Sequence, residues 1–194
     1  MRGMCKERII KVLFLNKQPL SKYKVSKEAE TSFSWTHEFL QELERLSLVS
    51  GTKVKDVGGL INYWVGFRKA PQHREYMVQE PLNAVKKAGI KYAATTYYAE
   101  NIVQQFLFPS RLDIYIREED LEAWHKALTK SGLYGKGNIR VLIDSSGLFK
   151  AEKIKGVSIV CMPQLIVDLK KEGGPCEEAA EMLIERLEKD VRDI

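Results

Sequence analysis

The sequence predicts a mixed α/β (α+β) chain built in two parts, and three observations carry that expectation. Apolar residues recur at helical spacing through residues 6–46; a glycine pair, Gly58-Gly59, then separates two runs with the composition of strands; and beyond residue 77 helical and strand-like segments alternate. The first two features make a small module of three helices and a hairpin, complete by Phe67. At 194 residues the rest of the chain must form a core of its own. The expected division is a first domain over 1–67, a linker over 68–76 marked by Ala70-Pro71 and mixed charge, and a second domain over 77–194.

In the first domain Ile9, Ile10, Leu13 and Phe14 share one face of a helix that breaks at Asn16 to Pro19. Ser21 is placed to cap the second helix, with Leu20 before it positioned to pack on Val25, and Ala29 continues that buried face. Polar Glu30 to Ser32 make a turn. Ser34 is the expected cap of a third helix, whose inward stripe is Leu40, Leu43 and Leu46 with Phe39 or Thr36 and whose end falls near Ser47. Lys53 and Lys55 then flank Val54, and Gly58-Gly59 offers the positive φ angles of a tight hairpin turn into a strand over Leu60 to Phe67. The order helix, helix, helix, Leu-Glu-x-Leu-x-Leu-Val, hairpin, with Leu43, Glu44, Leu46, Leu48 and Val49 carrying the match, resembles winged helix-turn-helix regulators over about a third of the chain.

Charge supports the same assignment. The formal net charge is +5, but residues 1–75 hold fourteen Lys and Arg against eight Asp and Glu, whereas residues 76–194 hold seventeen against eighteen. A positive field confined to the helical module is what phosphate contact requires, because each neutralised phosphate releases condensed counterions. Composition excludes other classes. No apolar run approaches the roughly eighteen residues of a membrane span, and the stretch from Ile9 to Leu15 is interrupted by Lys11, so no membrane partner is expected. Cys5, Cys161 and Cys176 are widely spaced and form no Cys-x-x-Cys pair, which fits a reduced cytoplasm. His37, His73 and His125 lie apart from them, so neither a metal nor another cofactor is expected.

If the third helix enters the major groove by its N-terminal part, Ser34, Trp35, His37 and Gln41 are the candidates to meet double-stranded DNA. Lys22, Lys24 and Lys27 on the second helix, with Lys53 and Lys55 on the wing, would contact phosphates and set register. Glu38, Glu42 and Glu44 oppose this, since carboxylates facing phosphates repel; Glu42 and Glu44 are expected to point away. An outward Glu38 would suit a protein-docking face instead, so an interaction adaptor without DNA binding stays open as the alternative.

In the second domain Pro81 to Ala88 reads as a helix stopped by Gly89, and Thr96 to Gln105 as another. Leu112 to Arg117 alternates like a half-buried strand; Glu118 to Ser131 is a charged helix built on Leu121, Trp124 and Leu128; Asn138 to Asp144 is a further strand. Asp144-Ser145-Ser146-Gly147 turns the chain. Val157 to Met162 is apolar throughout, which suggests a central strand. Pro163 opens a short helix through Leu169, and Gly173-Gly174-Pro175 restarts the chain into a final helix carrying Ala179, Leu183, Leu187, Val191 and Ile194 on one side, supported by Glu185/Lys189 and Glu188/Arg192 pairs.

Enzyme motifs are missing. A nucleotidyltransferase needs an Asp-x-Asp or Asp-x-Glu pair to hold magnesium, but Asp113 is followed two residues on by Tyr115. A metal-dependent nuclease, a third reading, would draw on Asp113, Asp144 and Glu152, yet the Glu-x-Lys spacing is absent. Gly132 to Gly137 lacks the strand-before, helix-after setting of a phosphate loop, and Ser145 and Ser146 have no histidine or nucleophile elbow beside them. The expectation is no enzyme.

Several segments of the chain together resemble a known family. The winged helix followed by Tyr92-Ala-Ala-Thr-Thr-Tyr-Tyr-Ala99, the Leu-Asp-Ile-Tyr-Ile run at 112–116, Met162-Pro-Gln-Leu-Ile-Val-Asp-Leu169 and Gly173-Gly-Pro-Cys-Glu-Glu-Ala-Ala180 are similar to the AbiEi-type antitoxins and transcriptional regulators of bacterial and archaeal defence systems. The resemblance implies a DNA-binding regulator that represses its own operon as the antitoxin of a toxin-antitoxin pair. It also implies a second domain resembling a non-catalytic nucleotidyltransferase-like unit, and neutralisation of a nucleotidyltransferase-like toxin without stable contact. A homodimer reading paired half-sites is compatible with it, although no heptad or interface patch fixes one.

Overall fold

The computed structural model describes residues 2–16, 18–144 and 150–192, with the backbone alone for Arg2 and for residues 190–192. It is a mixed α/β chain of two compact units. One gathers residues 1–69, 162–171 and 180–194; the other gathers 70–161 and 172–179.

In the first unit α1 (Arg2–Leu15), α2 (Lys22–Glu28) and α3 (Phe33–Arg45) are followed by the short strands β1 (Val49–Ser50) and β2 (Lys53–Val54) and by α4 (Val57–Phe67). The Ser21 side chain accepts from the Lys24 backbone N–H, as the sequence leads one to expect. The third helix begins two residues earlier than expected: Ser32, not Ser34, accepts from the Trp35 N–H. Ile9, Ile10, Val25, Ala29, Phe39, Leu40 and Leu43 are buried, but Leu46 is exposed, because the helix ends at Arg45 and Leu46 is its C-cap.

The hairpin differs from the expected one. It turns at Gly51-Thr52, pairing Val49 with Val54 and Ser50 with Lys53, and residues 60–67 are helical rather than a strand. Gly58-Gly59 forms the first turn of α4. Asp56 caps this helix by accepting from the Gly59 N–H at 2.7 Å. A Cβ at Gly59 would lie 2.3 Å from the Asp56 carboxylate and 2.8 Å from Leu48, so glycine serves close approach here and not a turn. Burial of Leu60, Ile61 and Trp64 supplies the packing that offsets two poor helix formers.

The second unit is built on a seven-stranded sheet. In chain order come β3 (His73–Val78), α5 (Pro81–Ala88), β4 (Ala93–Thr95), α6 (Thr96–Val103), β5 (Leu112–Ile116), α7 (Leu121–Thr129), β6 (Gly132–Tyr134), β7 (Ile139–Ile143), β8 (Ala151–Ile154) and β9 (Val157–Val160). The spatial order is β6-β3-β7-β5-β4-β9-β8. Two parallel pairs, β5/β7 and β4/β9, are set among four antiparallel ones. The connector read over 68–76 is therefore shorter, since β3 begins at His73 and pairs with both β6 and β7. β5 is the middle strand and every residue in it is buried, so its apparent alternation does not mark a wet face. Val157–Val160, expected at the centre, lies one strand in from the edge.

Helix α8 (Met162–Glu172) belongs to the first unit for all but its last residue, and so does most of α9 (Pro175–Arg192). Residues 163–169 are buried on every side. Arg68, at the end of α4, donates to Glu7 of α1 at 2.6 Å and pairs with Asp168 of α8 at 3.2 Å, which ties these helices through nearly buried charges. Gly173 and Gly174 both take left-handed backbone, with φ of 76° and 58°, which turns α8 into α9. Residues 145–147 of the expected turn, with the serines weighed as nucleophiles, and Ile194 of the final stripe lie outside the described residues, as do the side chains of Val191 and Arg192. Among the described residues no helix is long and apolar enough to cross a membrane.

Candidate nucleic-acid interface

The segment from α2 through α3 to the hairpin is held by three local locks. Thr31 Oγ1 and Thr36 Oγ1 are 2.7 Å apart, and Thr36 also donates to the Ser32 carbonyl at 3.0 Å, which fixes the turn between the two helices. Glu44 accepts the Gly51 backbone N–H at 2.6 Å, pinning the hairpin to α3. Thr52 donates to the Leu20 carbonyl at 2.5 Å, pinning the same turn to the start of α2.

Two of the three acidic side chains of α3 are thereby occupied. Glu42 accepts from Lys6 at 3.0 Å and from the Tyr63 hydroxyl at 2.5 Å, while Lys6 donates to that hydroxyl at 2.6 Å. The Tyr63 hydrogen bond, with Lys6 adding to it against the cost of burial, holds the Glu42 carboxyl below the ordinary range. Burial pulls the Lys6 ammonium down, but its bonds to Tyr63 and Glu42 more than offset this and its pKa is raised. Glu44 also faces Lys22 at 3.8 Å. Glu38 alone of the three is exposed.

The expected contact residues separate into groups. Lys24, Lys27, Ser34, Gln41, Lys53 and Lys55 are exposed. Lys22 is half-buried and its charge is paired with Glu44. Trp35 is half-buried with its indole Nε1 shielded from solvent and without a hydrogen-bond partner, so its one donor does not reach outward. His37 is also half-buried, its ring stacked on Phe33 at 6.0 Å and 18°. The exposed face of α3 thus carries Phe33, Gln41 and Arg45 in one row, with half-buried His37 between them, beside Ser34 and Glu38. Sequence reasoning passed over three of the outward residues. Arg45 follows Gln41 by one turn, which helical spacing reveals; Tyr23 and Phe33 are apolar, and an amphipathic pattern assigns such residues to a core.

The second unit holds a different cluster. Asp113 of β5 is fully buried and takes Arg111 at 2.7 Å, Arg140 of β7 at 2.8 Å and the Thr96 hydroxyl. Glu172 takes the same two arginines at 2.7 and 2.9 Å. Burial works against the charged form of each group, and the reciprocal hydrogen bonds more than offset it: both guanidinium pKa values are raised and that of Glu172 is lowered. Burial, followed by its contact with Cys176, pushes the Tyr97 hydroxyl up to about 12. Both Asp113 oxygens are consumed by cations, so this carboxylate acts as an anchor between strands. Beside it a groove of about 580 Å³ runs past Pro81, Leu82, Lys86, Tyr98 and Arg111. Its guanidinium is already bound to Asp113 and Glu172. No group of three or more His, Cys, Asp or Glu that could hold a metal ion occurs among the described residues.

No family model, curated protein or solved structure matches this chain.

Proposed function

We propose that the chain is a DNA-binding transcriptional regulator whose first unit works as a winged helix-turn-helix. Helix α3 enters the major groove, and Lys24, Lys27, Lys53 and Lys55 grip the flanking phosphates. One observation carries this reading: Glu42 and Glu44 are turned into bonds with Lys6, Tyr63, Lys22 and the Gly51 N–H, which leaves Ser34, Gln41 and Arg45 outward with a single opposing acid, Glu38. The resemblance to AbiEi-type regulators extends the proposal. On that basis the protein is the cytoplasmic antitoxin of a defence module, represses its own operon and counters a nucleotidyltransferase-like toxin without stable contact.

The test is a mobility shift on double-stranded DNA from upstream of its own gene, measured as a function of salt. Affinity should fall steeply with salt, and Lys24→Ala or Lys53→Ala should each lower the slope of log K against log salt by about one. Binding that ignores salt, or no binding, would favour a second reading. In that reading the module is a protein-docking adaptor, for which the exposed rings of Tyr23 and Phe33 and the outward Glu38 are the supporting features.

A further inference from the structure

Two aromatic rings stand in solvent on the proposed reading face. Phe33 is the first residue of α3 and is 49% exposed; Tyr23, on α2, is 58% exposed. Their centroids lie 6.5 Å apart, the His37 ring stacks on Phe33 at 6.0 Å, and the Lys27 ammonium sits 5.4 Å from the Tyr23 ring. The ring is also presented rigidly. Ser32, immediately before it, caps the helix and receives the Thr36 hydroxyl on its carbonyl, so the backbone that aims Phe33 is fixed on both sides of the turn.

A phenyl ring has no donor or acceptor, so it cannot read hydrogen-bonding edges. In the major groove the one apolar mark on a base pair is the 5-methyl group of thymine, and an apolar side chain at the start of a recognition helix is matched to it. Charge around the ring agrees, since Lys27 beside Tyr23 sets a cation next to the aromatic pair, where it could meet a phosphate flanking a contacted base. We infer that Phe33, buttressed by Tyr23 and His37, is a specificity-determining residue that seats against a thymine methyl. The inference rests on the DNA-binding reading above and deepens it by naming the group recognised.

Replacing thymine by uracil removes that methyl and leaves base pairing intact. The upstream duplex is therefore made once with dTTP and once with dUTP, and full-length protein is titrated against both. Wild type should bind the uracil duplex about fourfold more weakly for each methyl contacted, the loss expected when one buried methyl is deleted. Phe33→Ala should bind both duplexes alike, near the wild-type affinity for the uracil form. Phe33→Leu should recover part of the preference. Lys24→Ala should weaken both equally and leave the ratio intact, as a phosphate contact must. Any effect of uracil on duplex shape would persist in Phe33→Ala, so a preference retained in that variant overturns the inference. Equal affinity of wild type for the two duplexes overturns it too and leaves the DNA-binding reading standing. Failure of wild type to bind either duplex removes both.

Discussion

Glu42 gives up its proton more readily in the folded chain than in an unfolded one, because the Tyr63 hydroxyl and the Lys6 ammonium hydrogen-bond its carboxylate. A folded pKa held below the ordinary 4.5 means that the unfolded chain binds more protons in this range. The stabilisation is then complete above about pH 4.5 and is lost as pH falls through the folded value. Lys6 works in the opposite sense: its raised pKa gives stability that is full below its ordinary 10.5 and lost as pH climbs through the folded value. In urea denaturation at a series of pH values, Glu42→Gln should flatten the acid limb by its share while leaving Glu172, whose carboxyl is also lowered, to supply part of the rest. An unchanged acid limb would show that the Glu42 bonds do not survive in solution. Asp113 has a larger and different role. Its fully buried carboxylate and the Glu172 carboxylate together bridge Arg111 and Arg140. Asp113→Ala should cost about 3 kcal/mol, since it leaves two partly buried guanidinium groups to share the Glu172 carboxylate alone. Chemical denaturation of the full chain reads that loss directly.

At the scale of the element, α4 shows where local sequence rules give the wrong answer. Gly-Gly between apolar runs is ordinarily a turn signal, and Leu60 to Phe67 is rich in residues that favour strands. One local and one tertiary fact override this: the Asp56 cap on the Gly59 N–H three residues on, and the burial of Leu60, Ile61 and Trp64 along one helical face. Gly59→Ala would normally help a helix. Here its Cβ would overlap the Asp56 carboxylate and Leu48, so the variant should lower the melting temperature, whereas Gly58→Ala, whose nearest neighbour would be 3.7 Å away, should leave it equal or higher. Equal shifts in the two variants would contradict the close approach. The sequence was legible where one element is decided by its own residues. The capped α2, the stripe of α3 from Thr36 to Leu43, α5 with its Gly89 stop, and the strands β5 and β7 all follow from periodicity and turn chemistry. What was not legible is decided by partners far along the chain. β3 hides in a run of charges because it borrows its hydrogen bonds from β6 and β7, and three-residue strands such as β4 and β6 are too short for periodicity to register. The candidate face was half legible. Its lysines and polar residues were found by charge and spacing, but Phe33 and Tyr23 were not, because apolar residues in an amphipathic pattern are read as core.

Across the whole molecule, the order of residues along the chain is not the order of its compact units. The helix-rich first unit looks complete at Phe67, yet it also takes α8 and most of α9, nearly a hundred residues later. The energetic reason lies at Arg68, whose guanidinium is shared between Glu7 and Asp168 with little exposure to solvent. Without α8 that arginine would keep one carboxylate and lose the other. The apolar surface that Leu165, Ile166, Val167 and Leu169 now bury within α8 would lose its place as well. A first unit reduced to residues 1–69, without 162–194, should therefore be far less stable than in the intact chain. Each fully buried leucine-sized side chain withdrawn from a core forfeits about 1.5–3 kcal/mol, and marginal domains cannot absorb several such losses. Circular dichroism and limited proteolysis of a 1–69 fragment should show a low melting temperature and rapid cleavage within α1 to α4. Adding a separate peptide spanning 162–194 should restore part of the protection if the contacts at Arg68 and α8 carry the stability. A 1–69 fragment that melts as cooperatively and as high as the corresponding transition of the full chain would mean that the helical module is self-sufficient after all.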